Sequence, residues 1–180
     1  MLLTASTIST VNTDPPYVHK DIKSSNILLD GKFRAKIANF GLARPAEGKE
    51  GEFELTRHIV GTKGYMAPEY LEHGLISPKL DVYAFGVVML GLITGRDDVC
   101  LQKGEDGFSV KEFTAMLTEE GPREKLGSFI DPFMKEDYPL DSAIFMARLI
   151  EGCLRKDAAS RPNMGEIAQS LSKLFASSMS

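Results

Sequence analysis

A chain of 180 residues is long enough to bury the core of one domain. Its 43% hydrophobic and 26% charged residues are the balance of an ordinary globular protein, and a net charge of −4 argues against nucleic acid or an anionic membrane as its main partner. The longest apolar run, Val82 to Thr94, covers about 13 residues, where a membrane span needs about 20.

Residues 1–14 are rich in Ser and Thr and weakly periodic, which suits a weak helix or a disordered tail. Pro15-Pro16 stops any helix and favours extended chain around it. Tyr17-Val18-His19 then predicts a short buried strand. Ile27 to Leu29 and Ala35 to Ala38 predict two more, joined by an Asp30-Gly31 turn in which Gly31 supplies a positive φ. Such a hairpin presents Asn26 and Asn39 on the same side. Residues 42–64, with Gly48, Gly51, Gly61, Gly64 and the charged run Glu47 to Glu54, read as one long loop.

Ala67 begins a short helix. Ser77-Pro78 starts a long one, Lys79 to Thr94, closed by Gly95 and apolar nearly all round, which places it at the centre of the core. Residues 96–108 read as a polar loop. Ser109 caps a helix to Thr118, with Val110, Phe113 and Leu117 on one stripe, and Leu126 to Pro132 is a short helical piece. Asp141 caps a helix to Leu154 that buries Ile144, Ala147, Ile150 and Leu154. Asn163 to Glu166 has the form of a capping box. The helix behind it turns Met164, Ile167, Leu171, Leu174 and Phe175 inward and frays from Ala176. Cys100 and Cys153 make neither a metal pattern nor a disulfide framework and read as inert, reduced thiols. His58 and His73 read as surface residues.

Chemistry concentrates in His19-Lys20-Asp21-Ile22-Lys23-Ser24-Ser25-Asn26, followed by Asn39-Phe40-Gly41. The first stretch has the spacing H-x-D-x-x-x-x-N with a Lys two residues after the Asp, and it resembles the catalytic loop of protein kinases. Gly61 to Tyr70 resembles the substrate-docking segment of plant receptor-like kinases. Asp81 to Val87 resembles their central helix, and Arg161-Pro162-x-Met164 the start of their last helix. Pro15 to Asp21 and Lys36 to Phe40 look most like the LysM-type members of that group.

The resemblance covers about residues 15–175. It implies a mostly α fold with a small β-hairpin, the truncated large, C-terminal lobe of a protein kinase. Residues 1–14 are then an atypical segment and 15–176 the lobe, with a catalytic loop at 19–26 and an activation segment at 39–69; 177–180 form a tail. It also implies roles. Asp21 accepts the proton of a substrate hydroxyl, Lys23 steadies the charge on the moving phosphoryl group, and Asn26 holds a magnesium ion. His19 braces the loop. Asp81 accepts hydrogen bonds from the loop backbone, and Glu69 pairs with Arg161 in the interior. Thr62 lies near Asp21 and Lys23 as a regulatory phosphorylation site, with Thr56 as a second. The cofactors implied are ATP and magnesium.

Three departures set the expected function. Asn39 stands where the family has Asp, so Asn26 and Asn39 make a degraded metal site with one carboxylate fewer. Lys20 stands where the family has Arg, a point charge in place of a bidentate fork, and Gly91 interrupts the long helix. Ahead of the catalytic loop no glycine and no Gly-rich phosphate cover or strand lysine is present. The expectation is a non-catalytic, pseudokinase-type module of a LysM receptor-like kinase, in the cytoplasm or on the cytoplasmic face of the plasma membrane. It would bind other receptor kinases or signalling proteins. The alternatives are an ATP-dependent serine/threonine kinase whose small lobe is missing from this chain, and a degenerate fragment.

Overall fold

A computed structural model of the chain describes residues 17–46, 54–96, 110–118, 126–134 and 138–178. The expected segment at 1–14, the polar loop at 97–108, the cap at Ser109 and the thiol of Cys100 lie outside those residues.

The helical body is built on α2, Lys79–Thr94. Its residues from Leu80 to Leu90 are buried all round except at Tyr83, as the apolar run predicts. Ser77 Oγ accepts from Lys79 N at 3.2 Å, and Gly95 closes the helix at φ 64. That left-handed conformation is one that Gly adopts freely. Around α2 pack α3, Val110–Thr118, α4, Leu140–Cys153, and α5, Met164–Ser178. The shared core includes Phe85, Leu90, Phe113, Ile150 and Ile167.

Helices α2 and α4 cross closely at Gly86, where a Cβ would fall 2.8 Å from Cβ of Cys153 and 3.1 Å from Leu154. Gly86→Ala should therefore lower the thermal midpoint. Overpacking costs about 1–3 kcal/mol, against about 1 kcal/mol gained from helix preference. A midpoint at or above that of the native chain would show that the two helices can move apart.

Among the described residues, three antiparallel strand pairs complete the fold. β1, Tyr17–Val18, pairs with β4, Arg44–Pro45, with Val18 opposite Arg44. β2, Ile27–Leu29, pairs with β3, Ala35–Ile37, with Leu28 opposite Lys36. β5, Glu54–Leu55, pairs with β6, Leu75–Ile76. The stretch read as one long loop thus holds two short strands, each too brief to show a period of two. Between β5 and β6 sits α1, Pro68–His73, with Pro68 at its start and Gly74 ending it at φ 67. Val18, Ala67, Tyr70, Ile76 and Leu80 form a second, smaller core beneath this region.

Four local details differ from the expectation. In the β2–β3 turn the positive φ falls on Phe33, at 56°, and not on Gly31. The Asp30 carboxylate organises this turn by accepting from Lys32 N at 2.9 Å and Arg34 N at 3.0 Å, which makes a longer connection than a two-residue turn. A turn of Pro132–Met134 continues past the end assigned to the Leu126 piece. Helix α4 starts two residues early, with Pro139 at the cap in place of Asp141 and Asp141 inside the first turn, where an acid still favours the helix dipole. Helix α5 runs on to Ser178, and Phe175, expected inward, is exposed.

The capping box is present. Asn163 Oδ1 accepts from Glu166 N at 2.9 Å, and Glu166 Oε2 accepts from Asn163 N at 2.7 Å. Among the described residues no helix is long and apolar enough to cross a membrane.

Candidate functional site

The site forms where the loop after β1 meets the first turn of α2. Asp81 reaches from α2 and accepts His19 N at 2.7 Å and Lys20 N at 3.0 Å. Gathering two successive N–H groups onto one carboxylate goes with Lys20 at φ 66, a rare conformation for a side chain of that length. His19 is fully buried. Its Nδ1 accepts from Asp21 N at 3.3 Å, its Nε2 lies 3.1 Å from the carbonyl of Ala38, and its ring meets Phe40 edge-on at 4.8 Å. With both ring nitrogens engaged, His19 braces the loop against the far end of the hairpin.

This frame aims Asp21, Lys23 and Asn26 at one point. Asp21 Oδ1 accepts from the Thr62 hydroxyl at 2.7 Å. Lys23 Nζ donates to the same hydroxyl at 2.9 Å and lies 3.6 Å from Asp21 Oδ2. Asn26 Nδ2 donates to Asp21 Oδ2 at 2.9 Å and to the Asp21 carbonyl at 2.8 Å. The hairpin then carries the chain back, and Asn39 arrives in the left-handed region at φ 66, ψ 60. Its Nδ2 lies 3.3 Å from Asp21 Oδ2 and 3.4 Å from Asn26 Oδ1. Asp21, Lys23, Asn26, Asn39 and Thr62 are therefore one cluster. Thr56 is apart from it, its hydroxyl accepting from His58 N at 3.2 Å.

Two supports stand behind the cluster. Arg161 meets Glu69 in a bidentate pair, both N–O distances 2.7 Å, with the arginine side chain fully buried. Lys20 sits beside the ion pair between Arg44 Nη2 and Glu54 Oε2, 2.5 Å apart. Burial, and then the Arg44 charge, hold the Lys20 amine below its usual range.

The sequence reading missed Tyr70, which pins the chain at Val60. Its hydroxyl accepts from Val60 N at 3.0 Å and lies 3.2 Å from the Val60 carbonyl. It also missed Tyr65, whose hydroxyl lies 3.2 Å from Ser24 Oγ. The only available signal was an aromatic residue flanking Ala67-Pro68-Glu69. Cys153 is buried in the core, which pushes its thiol up to about 12, in keeping with an inert role.

The residues present do not suit a hard divalent cation, which takes oxygen ligands. Two amide nitrogens, from Asn26 and Asn39, turn their hydrogens onto Asp21, the one carboxylate of the cluster. Among the described residues no three of His, Cys, Asp and Glu gather as a metal site.

Residues 14–171 match the protein kinase domain family. The chain is 45% identical over 170 residues to Protein LYK5 of Arabidopsis thaliana, covering 92% of this chain and 26% of that protein. It is 43% identical over 167 residues to LysM domain receptor-like kinase 3 of Medicago truncatula, covering 91% and 26%. To Chitin elicitor receptor kinase 1 of Arabidopsis thaliana it is 44% identical over 169 residues, covering 92% and 27%. The chain thus spans about a quarter of the length of the curated relatives it matches. It belongs to the protein kinase domain family, and LysM receptor-like kinases are among its most similar relatives.

Proposed function

We propose that the chain is a non-phosphorylating, kinase-like signalling module of the LysM receptor-like kinase type. It works at the cytoplasmic face of the plasma membrane by engaging partner receptor kinases. The observation that carries this reading is Asn39, an amide at the post where phosphoryl transfer calls for a carboxylate on magnesium. Removing one preorganised electrostatic group costs about 3 kcal/mol at the transition state, a loss on the order of a hundredfold or more in rate. Asp81 and the Glu69–Arg161 pair serve as scaffold in this reading and are needed whether or not phosphate moves. Thr62, bonded to both Asp21 and Lys23, is placed so that a phosphate on it would break those bonds and loosen the docking segment.

A second reading, ATP-dependent serine/threonine phosphotransfer, is favoured by the ordered group of Asp21, Lys23 and Asn26. In it Asp21 takes the hydroxyl proton and Lys23 steadies the phosphoryl charge. Incubating the purified chain with radiolabelled ATP, magnesium and a protein acceptor separates the two. No transfer is expected, and no saturable thermal stabilisation by micromolar nucleotide, because a ligand of the native state must raise its stability. Transfer that disappears in Asp21→Ala would establish the second reading instead.

A further inference from the structure

We propose that the Asn39 side-chain amide takes the place of a divalent cation, bracing Asp21 and Asn26 so that the catalytic-loop junction is set without metal. The inference rests on the non-phosphorylating reading and deepens it.

The argument is a count of donors and acceptors. Asn39 Nδ2 carries two hydrogens and faces two oxygens, Asp21 Oδ2 at 3.3 Å and Asn26 Oδ1 at 3.4 Å. Asn26 in turn spends its own Nδ2 on the side chain and carbonyl of Asp21. Three side chains thus close on one another, with amide hydrogens at every oxygen-to-oxygen approach. Turning the Asn39 amide over would set its oxygen against two acceptors, so the orientation is fixed by the network itself. The backbone agrees, since Asn is among the residues that best tolerate the left-handed region it occupies. Both contacts are long and Asn39 is exposed, so the brace is weak and its effect measurable but small.

An aspartate at this position would reverse the arrangement. A carboxylate oxygen would replace the N–H₂ group and face Asp21 Oδ2 and Asn26 Oδ1, an approach that a bound cation would relieve. Thermal midpoints of the full chain, of Asn39→Asp and of Asn39→Ala, each in EDTA and in millimolar magnesium chloride, test this. The native chain should give the same midpoint in both. Asn39→Asp should melt about 2–4 °C lower in EDTA and recover with magnesium. Asn39→Ala should melt lower in both and ignore magnesium.

Magnesium stabilisation of the native chain, Asn39→Asp as stable as the native chain in EDTA, or a magnesium response in Asn39→Ala would each overturn the proposal. The non-phosphorylating reading falls only with Asp21-dependent phosphate transfer by the native chain. The two failures are therefore seen in different assays.

Discussion

Arg161→Ala should cost about 3–5 kcal/mol in urea denaturation, a large share of the ~5–15 kcal/mol that holds a typical domain folded. The side chain of Arg161 is fully buried and that of Glu69 10% exposed, so removing the guanidinium strands a carboxylate in the interior. It also strands acceptors. Arg161 Nε donates to the Arg155 carbonyl at 2.7 Å, Nη1 to that of Lys79 at 3.1 Å and Nη2 to that of Lys156 at 3.3 Å. The guanidinium carbon further lies 5.0 Å from the centre of the Tyr83 ring. One side chain therefore joins α1, the start of α2 and the turn ahead of α5.

Lysine cannot substitute, because a single ammonium cannot fill a planar five-donor site. The double variant Glu69→Leu with Arg161→Met should recover part of the loss by removing the stranded charge. It cannot recover all of it, since the three carbonyls remain. A cost under about 1 kcal/mol for Arg161→Ala would mean that water reaches Glu69 and that the pair behaves as a surface one.

Interactions carried by short motifs were the legible part of this molecule. The offsets in His19 to Asn26, the Asp81 carboxylate and the Glu69–Arg161 pairing each need particular residue types at particular spacings. Their roles came with the resemblance to protein kinases, since spacing alone pairs neither Asp81 with the loop amides nor Glu69 with Arg161. Helix α2 was legible for a different reason, since a run apolar on every side suits only the middle of a core. What stayed hidden were features set by tertiary partners. Strands β4 and β5 have two residues each and pair with β1 and β6, distant in sequence, so no local periodicity marks them. The positive φ at Phe33 follows from the Asp30 carboxylate gathering the turn amides, and propensity alone assigns it to Gly31. Phe175 fits the apolar stripe of α5, but the core ends before it. At the site, Asn39 drew notice only through the resemblance, while the direction of its amide is set by Asp21 and Asn26, 18 and 13 residues away in the chain.

Asp81→Ala should be the other severe substitution, and its cost should depend on pH in a defined direction. A buried donor, His19 N, and a partly buried one, Lys20 N, lose their acceptor, at about 1–3 kcal/mol for the buried one and less for the other. Lys20, held at φ 66, is then free to leave the left-handed region, and Asp21 moves with it.

Against that cost stands the burial of a charge. Desolvation pushes the Asp81 carboxyl from its ordinary 3.8 up to about 6, although the His19 and Lys20 amides pull the other way. The folded chain thus keeps a proton on Asp81 that the unfolded chain releases near 3.8. Stability from this residue is fully present below about pH 4 and is lost as pH rises through about 6. Alanine does not titrate. The stability gap between the native chain and Asp81→Ala should therefore be wider near pH 5 than near pH 7, taken from urea melts of both proteins in the same buffers. Asp81→Asn should show the same trend with a smaller gap, since its oxygen serves one backbone N–H while its N–H₂ opposes the other. A gap that grew with pH would mean that the two amides hold Asp81 ionised in the folded chain, and that attraction within the loop, rather than desolvation, governs this carboxylate.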